Sequence, residues 1–225
     1  MNIAIFGGTF DPIHAGHLAA AQAAQKRFHL DRILFIPTGN PPHKIHNFLT
    51  DYAQRFAMVS VACAGQPHFI PSTIESPTLE GSPRYSIDTV RTVRRSLRQH
   101  DKLYFLVGAD AFLDLPQWKE FRRLLDSVEF IVVSRPGFDT DALREVPPRD
   151  LMPARRLAQK DGTIRLRHGA IHLLRNVESP VASRDIRQAA RVRKSITGLV
   201  PELVEEYILK EGLYLPSAGR KRLHR

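Results

Sequence analysis

Cysteine and tryptophan are almost absent from this 225-residue chain: each occurs once, as Cys63 and Trp118. A single thiol excludes an internal disulfide framework and a zinc site built on cysteines. It suits a reducing compartment. No apolar stretch approaches the roughly 20 residues that a membrane-spanning helix requires. The first residues run straight into a strand-like pattern, without the basic segment and apolar run of a secretory signal. A cytoplasmic chain is therefore expected. Internal repeats are missing as well.

What is present begins with charge. Lys and Arg number 33 against 23 Asp and Glu, a formal net charge of +10. Such a balance suits anionic partners, whether nucleotides, polyphosphates or nucleic acid, without choosing among them. A hydrophobic content of 43% with 25% charged residues is that of an ordinary globular protein, and the length is ample for one buried core.

The pattern along the chain predicts strands alternating with helices. Asn2 to Phe6 is a short apolar run ending at two glycines, and reads as a buried strand. Residues 15–28, rich in Ala, Gln and Leu, read as a helix, and 32–37 as a second strand. Strand, turn, helix and strand make a βαβ unit with a right-handed crossover. Further helices are expected over about 51–64, 86–99, 117–125, from 183, and 201–210. Strands are expected at 69–71, 102–107, 128–133 and 170–174. The fold class is α/β with a mainly parallel sheet. Residues 147–167 are basic and poorly periodic, and 216–225 read as a basic tail beyond a single domain over 1–215, whose last part, about 180–215, is helical.

Chemistry is concentrated in the first turn, Gly7-Gly8-Thr9-Phe10-Asp11-Pro12-Ile13-His14-Ala15-Gly16-His17. Glycines at a strand end allow backbone to approach a ligand closely. The next helix aims its amide groups and positive dipole end at the same place. His14 and His17, three residues apart, share one helix face. This arrangement suits phosphate oxygens, and an adjacent triphosphate would favour the protonated imidazoles. No Gly-Lys-Ser/Thr follows, so it is not a Walker loop. It is not Gly-x-Gly-x-x-Gly either, which disfavours a dinucleotide redox cofactor.

The segment resembles the His-x-Gly-His signature of the nucleotidyltransferase superfamily, in the form found in bacterial nicotinate mononucleotide adenylyltransferases. Further segments resemble that family in its own order: Pro41-Pro42-His43-Lys44, Arg84-Tyr85-Ser86-Ile87-Asp88-Thr89, Gly108-Ala109-Asp110 with Leu115-Pro116-Gln117-Trp118, Val181 to Arg187, and Val200 to Tyr214. The resemblance implies a Rossmann-like open twisted parallel sheet with helices on both faces and a small C-terminal helical portion. It implies adenylyl transfer from ATP to nicotinate mononucleotide, in NAD biosynthesis.

The same resemblance assigns the site. Gly7, Gly8, Thr9, Phe10, His14, His17, Gly108, Asp110, Ser183, Ile186 and Arg187 would hold ATP, with His14, His17 and Arg187 catalytic. His43, Lys44, Tyr85, Ser86, Ile87 and Trp118 would hold the mononucleotide. Asp110, just past a strand end, can accept both hydroxyls of a ribose; Lys44 can hold a phosphate as a point charge; Trp118 can stack on a pyridine ring. Mg²⁺ is expected to arrive with ATP, and no resident metal site is expected. Neither a membrane nor nucleic acid is an expected partner, and a homo-oligomer is left open. Two departures stand out. Ala182 and Arg184 replace hydroxyl residues in the last motif, and Arg84 stands where Ser is common beside the pyridine pocket. Acceptors left open are nicotinamide mononucleotide, phosphopantetheine and cytidylyltransferase substrates. A non-catalytic RNA-binding protein on the same scaffold is the minor alternative, without a recognised RNA-binding motif to support it.

Overall fold

A computed structural model of the chain describes residues 1–39, 49–78, 84–153, 162–175, 177 and 181–216. Among the described residues are seven strands: β1 (Asn2–Gly8), β2 (Arg32–Pro37), β3 (Phe69–Pro71), β4 (Lys102–Gly108), β5 (Glu129–Val133), β6 (Ile164–Leu166) and β7 (Gly169–Leu174). They form one sheet in the order β3-β2-β1-β4-β5-β7-β6. Every pairing is parallel except β6 with β7. Seven α-helices accompany them: α1 (Ala15–Phe28), α2 (Tyr52–Cys63), α3 (Ser86–Arg95), α4 (Ala109–Leu113), α5 (Phe121–Ser127), α6 (Ser183–Arg191) and α7 (Glu202–Lys210).

Side chains on alternate faces of a strand explain the two cores. On β1, Ile3 and Ile5 point to one face with Phe105, Phe112 and Phe130, beneath α3, α4 and α5. Ala4 and Phe6 point to the other, with Phe35, Met58 and Ile131. The second core also takes in Ile186 of α6 and Val204 and Ile208 of α7. The C-terminal helices therefore pack on the sheet that carries the first turn. Sheet strands covered on both faces read as nearly continuous apolar runs, which is why β1, β4 and β5 are evident in the sequence.

Local differences from the sequence expectation have local causes. Helix α3 stops at Arg95, because the Ser96 hydroxyl donates to the Val93 carbonyl at 2.7 Å and competes with the helix. The helix expected over 117–125 is divided into a 3-10 turn at Leu115–Gln117 and α5. Glu120 between them lies in the left-handed region at φ 52°. Its carboxylate accepts from Arg91 at 2.9 Å and Arg123 at 2.7 Å. The short helix α4 and the antiparallel strand β6 had no clear periodic signal, at five and three residues each.

Strand order reverses at β1, which lies between β2 and β4. Connections from the two neighbouring strands leave toward opposite faces there, opening a crevice at the carboxyl ends of β1 and β4. The residues at that point are Gly7, Gly8 and Gly108.

Candidate active site

A cavity of about 510 Å³ opens at this switch point, within the usual size of a ligand pocket. Gly7, Gly8, Thr9, His14 and His17 line it on the β1 side, with Gly108 from the end of β4. Tyr85, Ser86 and Trp118 line it too. Segments far apart in sequence are thus brought together.

The turn is built for the histidines. His14 is the N-cap of α1 and His17 its third residue. The amide of His17 donates to Nδ1 of His14 at 3.4 Å, and the amide of His14 donates to Nδ1 of His17 at 3.2 Å. This is a capping box made with imidazoles. The rings stack, with centroids 3.7 Å apart. Because each Nδ1 accepts, the neutral ring carries its proton on Nε2. Burial, with the field of Arg135, lowers the His14 pKa to about 4. Burial first, then the fields of His14 and Arg135, lowers that of His17 well below its ordinary value. Burial and neighbouring positive charge favour the neutral form of both rings; the charge of a bound triphosphate, on which the sequence expectation rested, would act in the opposite direction.

Helix α1 offers fewer free amides than the pattern implies. Ala15 donates to the carbonyl of Leu199 at 2.9 Å, and His17 and Leu18 donate to His14. Among the first three helical residues, Gly16 alone has its amide without a described partner, and it lines the cavity.

Behind the turn lies a buried polar hub. Asp11, 1% exposed, accepts the Tyr214 hydroxyl on Oδ1 at 2.8 Å and the Thr50 amide on Oδ2 at 3.2 Å. Arg55, 2% exposed, donates to the carbonyls of Thr9 at 2.7 Å, Thr50 at 2.9 Å and Gly39 at 3.4 Å. Burial works against the charge of Arg55, and the field of Asp11 supports it. A Cβ at Gly39 would collide with the carbonyl oxygen of Glu75. At Gly8 a Cβ would stand 3.2 Å from the Phe10 ring, a tight contact that the packed ring would have to relieve. Phe10 itself has φ 47°; its ring is held between Phe6, His17 and Phe35.

Some expected site residues sit elsewhere. Phe10, Ile87 and Ile186 are 1%, 1% and 0% exposed, so their side chains are core residues and any ligand contact would come from main chain. Ser183 donates through its hydroxyl to the carbonyl of Pro12 at 2.9 Å, and Arg187 through Nη1 to the carbonyl of Asp11 at 2.6 Å. Both brace the turn and do not line the cavity. Asp110 is exposed in the first turn of α4; its neighbours Gly108 and Ala111 line the cavity, and it does not. Trp118 is half-buried, edge-on to Phe105 at 6.0 Å. His43 and Lys44 lie outside the described residues. Four charged lining residues were not singled out as ligand contacts from sequence: Glu75, Arg84, Lys119 and Arg135. Of these only Arg84 carried a signal, as a departure from a motif.

Glu75 is 7% exposed and accepts the Thr89 hydroxyl at 2.6 Å. Burial raises its pKa, against the Thr89 hydrogen bond and the field of Arg84, which lower it.

An open parallel sheet with an amide-and-imidazole turn at its switch point defines a nucleotide-binding α/β protein. The cytidylyltransferase-like family model matches residues 5–189. A probable nicotinate-nucleotide adenylyltransferase of Moorella thermoacetica is 41% identical over 214 residues, covering 95% of this chain and 92% of that one. Another from Solibacter usitatus is 50% identical over 147 residues, covering 65% and 76%. The structure of the Plasmodium falciparum nicotinic acid mononucleotide adenylyltransferase complexed with NaAD superposes with a TM-score of 0.68 at 19% identity, covering 95% of this chain and 97% of that one, which speaks for the fold. The chain belongs to the cytidylyltransferase-like family, on its nicotinate-nucleotide adenylyltransferase branch. Among the described residues, no helix is long and apolar enough to cross a membrane.

Proposed function

We propose that the chain transfers the adenylyl group of ATP to nicotinate mononucleotide, giving nicotinate adenine dinucleotide and pyrophosphate in NAD biosynthesis. The observation that carries this reading is the stacked pair of neutral imidazoles at the mouth of β1, in one cavity with an aromatic wall of Tyr85 and Trp118. The mononucleotide phosphate would attack the α-phosphorus in line. It is already ionised near neutral pH, so the step needs no strong general base and no covalent enzyme intermediate. Catalysis then consists of alignment and of stabilising charge on the α-phosphate and the leaving pyrophosphate.

Nε2–H groups of His14 and His17, the amide of Gly16 and the backbone of Gly7, Gly8 and Thr9 would serve the phosphates. Neutral donors suffice, because a hydrogen bond to a phosphate oxygen is itself charge-assisted. Arg187, with one of its five donors on Asp11, would direct others to the β- and γ-phosphates. Asp110 would hold the ribose, and Lys44 with His43 the phosphate of the mononucleotide. Mg²⁺ would arrive with the triphosphate and supply positive charge that helps stabilise the leaving pyrophosphate. Among the described residues no three His, Cys, Asp or Glu side chains are grouped to hold a metal by themselves. A cytoplasmic site of action agrees with the one thiol, Cys63, being free and buried.

Pyrophosphate release measured with ATP and nicotinate mononucleotide, nicotinamide mononucleotide or phosphopantetheine tests the reading. The highest kcat/KM is expected with nicotinate mononucleotide. Equal or better activity with phosphopantetheine would overturn the acceptor, and tight salt-sensitive RNA binding without any nucleotidyl transfer would overturn the reaction.

A further inference from the structure

Charge on the aromatic wall of the cavity is uneven. Arg84, Tyr85 and Ser86 lead into α3, and Trp118 and Lys119 lie between the 3-10 turn and α5. All five line the cavity. The ammonium of Lys119 stands over the Tyr85 ring, 4.3 Å from its centroid, a cation–π contact that holds the charge beside the ring. Neither Lys119 nor Arg84 belongs to an ion pair among the described residues. Among the described residues, Glu120 pairs with Arg91 and Arg123, and Asp88 with Arg91.

Glu75, the one acidic residue in the lining among the described residues, is buried against Thr89. Burial favours its uncharged form. The wall thus presents two cations that belong to no ion pair among the described residues, with the field of Arg84 reaching Glu75. Helix α3, ten residues long, starts at Ser86 and adds the positive end of its dipole. Its first amides, those of Ser86 and Ile87, have no described backbone partner, as is usual for the first turn of a helix. Cations of this kind beside aromatic faces suit a flat ring carrying a carboxylate. A carboxamide of the same shape would gain little from them.

We propose that Arg84 and Lys119 are specificity-determining residues that hold the carboxylate of the acceptor's pyridine ring and so select nicotinate mononucleotide over its carboxamide analogue. The inference rests on the pyridine-mononucleotide acceptor proposed above. It also gives a role to Arg84, which departs from the serine common at that position.

The test is the ratio of kcat/KM for nicotinate over nicotinamide mononucleotide, measured by pyrophosphate release with saturating ATP. Arg84→Ser, Lys119→Gln, the double variant and the charge-keeping Arg84→Lys are compared with the wild type. A folding defect lowers both arms and leaves the ratio alone, so the ratio reads recognition only. The wild type is expected to favour nicotinate. Each neutralising variant is expected to lower the ratio roughly 10-fold, and the double variant roughly 100-fold, the scale of charge-assisted hydrogen bonds. Arg84→Lys is expected to keep most of it. Because Lys119 is exposed, its share should shrink at high salt. A wild type active on nicotinate mononucleotide, with the ratio unchanged in the double variant, would overturn this inference and leave the proposed function standing. A wild type that transfers to neither pyridine acceptor would sink both.

Discussion

His14 and His17 each accept the other's backbone amide on Nδ1 while their rings stack 3.7 Å apart. The two residues therefore cap the helix through Nδ1 and also line the cavity. A second proton on either ring would point an N–H at an amide N–H and place a cation beside its partner. Burial favours the uncharged form of the pair.

That relationship has a pH signature. At pH 7 both rings should be Nε2–H tautomers, which ¹⁵N chemical shifts of the imidazoles report directly. The folded pKa of His14 is lowered to about 4 from an unfolded value of 6.5. The unfolded chain therefore binds the extra proton between those values. Stability should be full above about pH 6.5, fall as the pH drops from there to about 4, and level off below, losing on the order of 3 kcal/mol from this residue. Urea unfolding at pH 7.5, 5.5 and 4.5 checks it. Stability unchanged or rising on acidification would contradict the neutral pair.

Capping and catalysis can be separated at His14. Asn is a good N-cap but cannot place a donor where Nε2 stands. His14→Asn should keep the melting temperature within a few degrees while lowering turnover by roughly 10²–10³, the usual effect of losing one stabilising donor. His17→Ala should lower turnover by orders of magnitude with the fold intact. Near-normal pyrophosphate release in either variant would remove that residue from the mechanism.

Arg55 joins the phosphate turn at Thr9 to Gly39 and Thr50, on either side of the segment that carries His43 and Lys44. Arg55→Met should leave three carbonyls short of a donor and remove the positive charge that faces buried Asp11. A loss of at least about 3 kcal/mol is expected in chemical denaturation. Gly39→Ala should also destabilise, because its methyl group meets the Glu75 carbonyl. A neutral Arg55→Met would show that the carbonyls find other donors.

Tyr214 reaches back 203 residues to Asp11. Tyr214→Phe keeps the ring and removes the hydroxyl. It should cost about 1–3 kcal/mol, the usual penalty for an unsatisfied buried acceptor. Turnover should fall as well if the turn loses its alignment, whereas a change confined to stability would make the hub structural only.

Much of this was readable beforehand because it is local. Apolar runs at β1, β4 and β5 mark buried parallel strands, and the glycine-bounded turn with its histidines marks the strand end at which the cavity opens. The sequence singled out Ser183 and Arg187, but not that these side chains would donate to the carbonyls of Pro12 and Asp11. Glu75, Lys119 and Arg135 carried no signal, since a charged residue in a loop looks the same whether it faces solvent or a cavity. The break at Glu120 was hidden because its left-handed backbone accompanies contacts made from α3 and α5 together.

The turn between Gly7 and His17 is where the two kinds of information meet. By itself the sequence determined that a strand would end there, that a helix would begin there, and that two imidazoles would share one face. Those are properties of backbone preference and residue spacing, and they act over a few residues. Tertiary structure alone decided the state of those imidazoles and which amides remain free. Burial, the field of Arg135, the carbonyl of Leu199 and the hub of Asp11, Arg55 and Tyr214 all come from distant parts of the chain. Desolvation and hydrogen-bond competition depend on what folding brings into contact, and no local pattern encodes that.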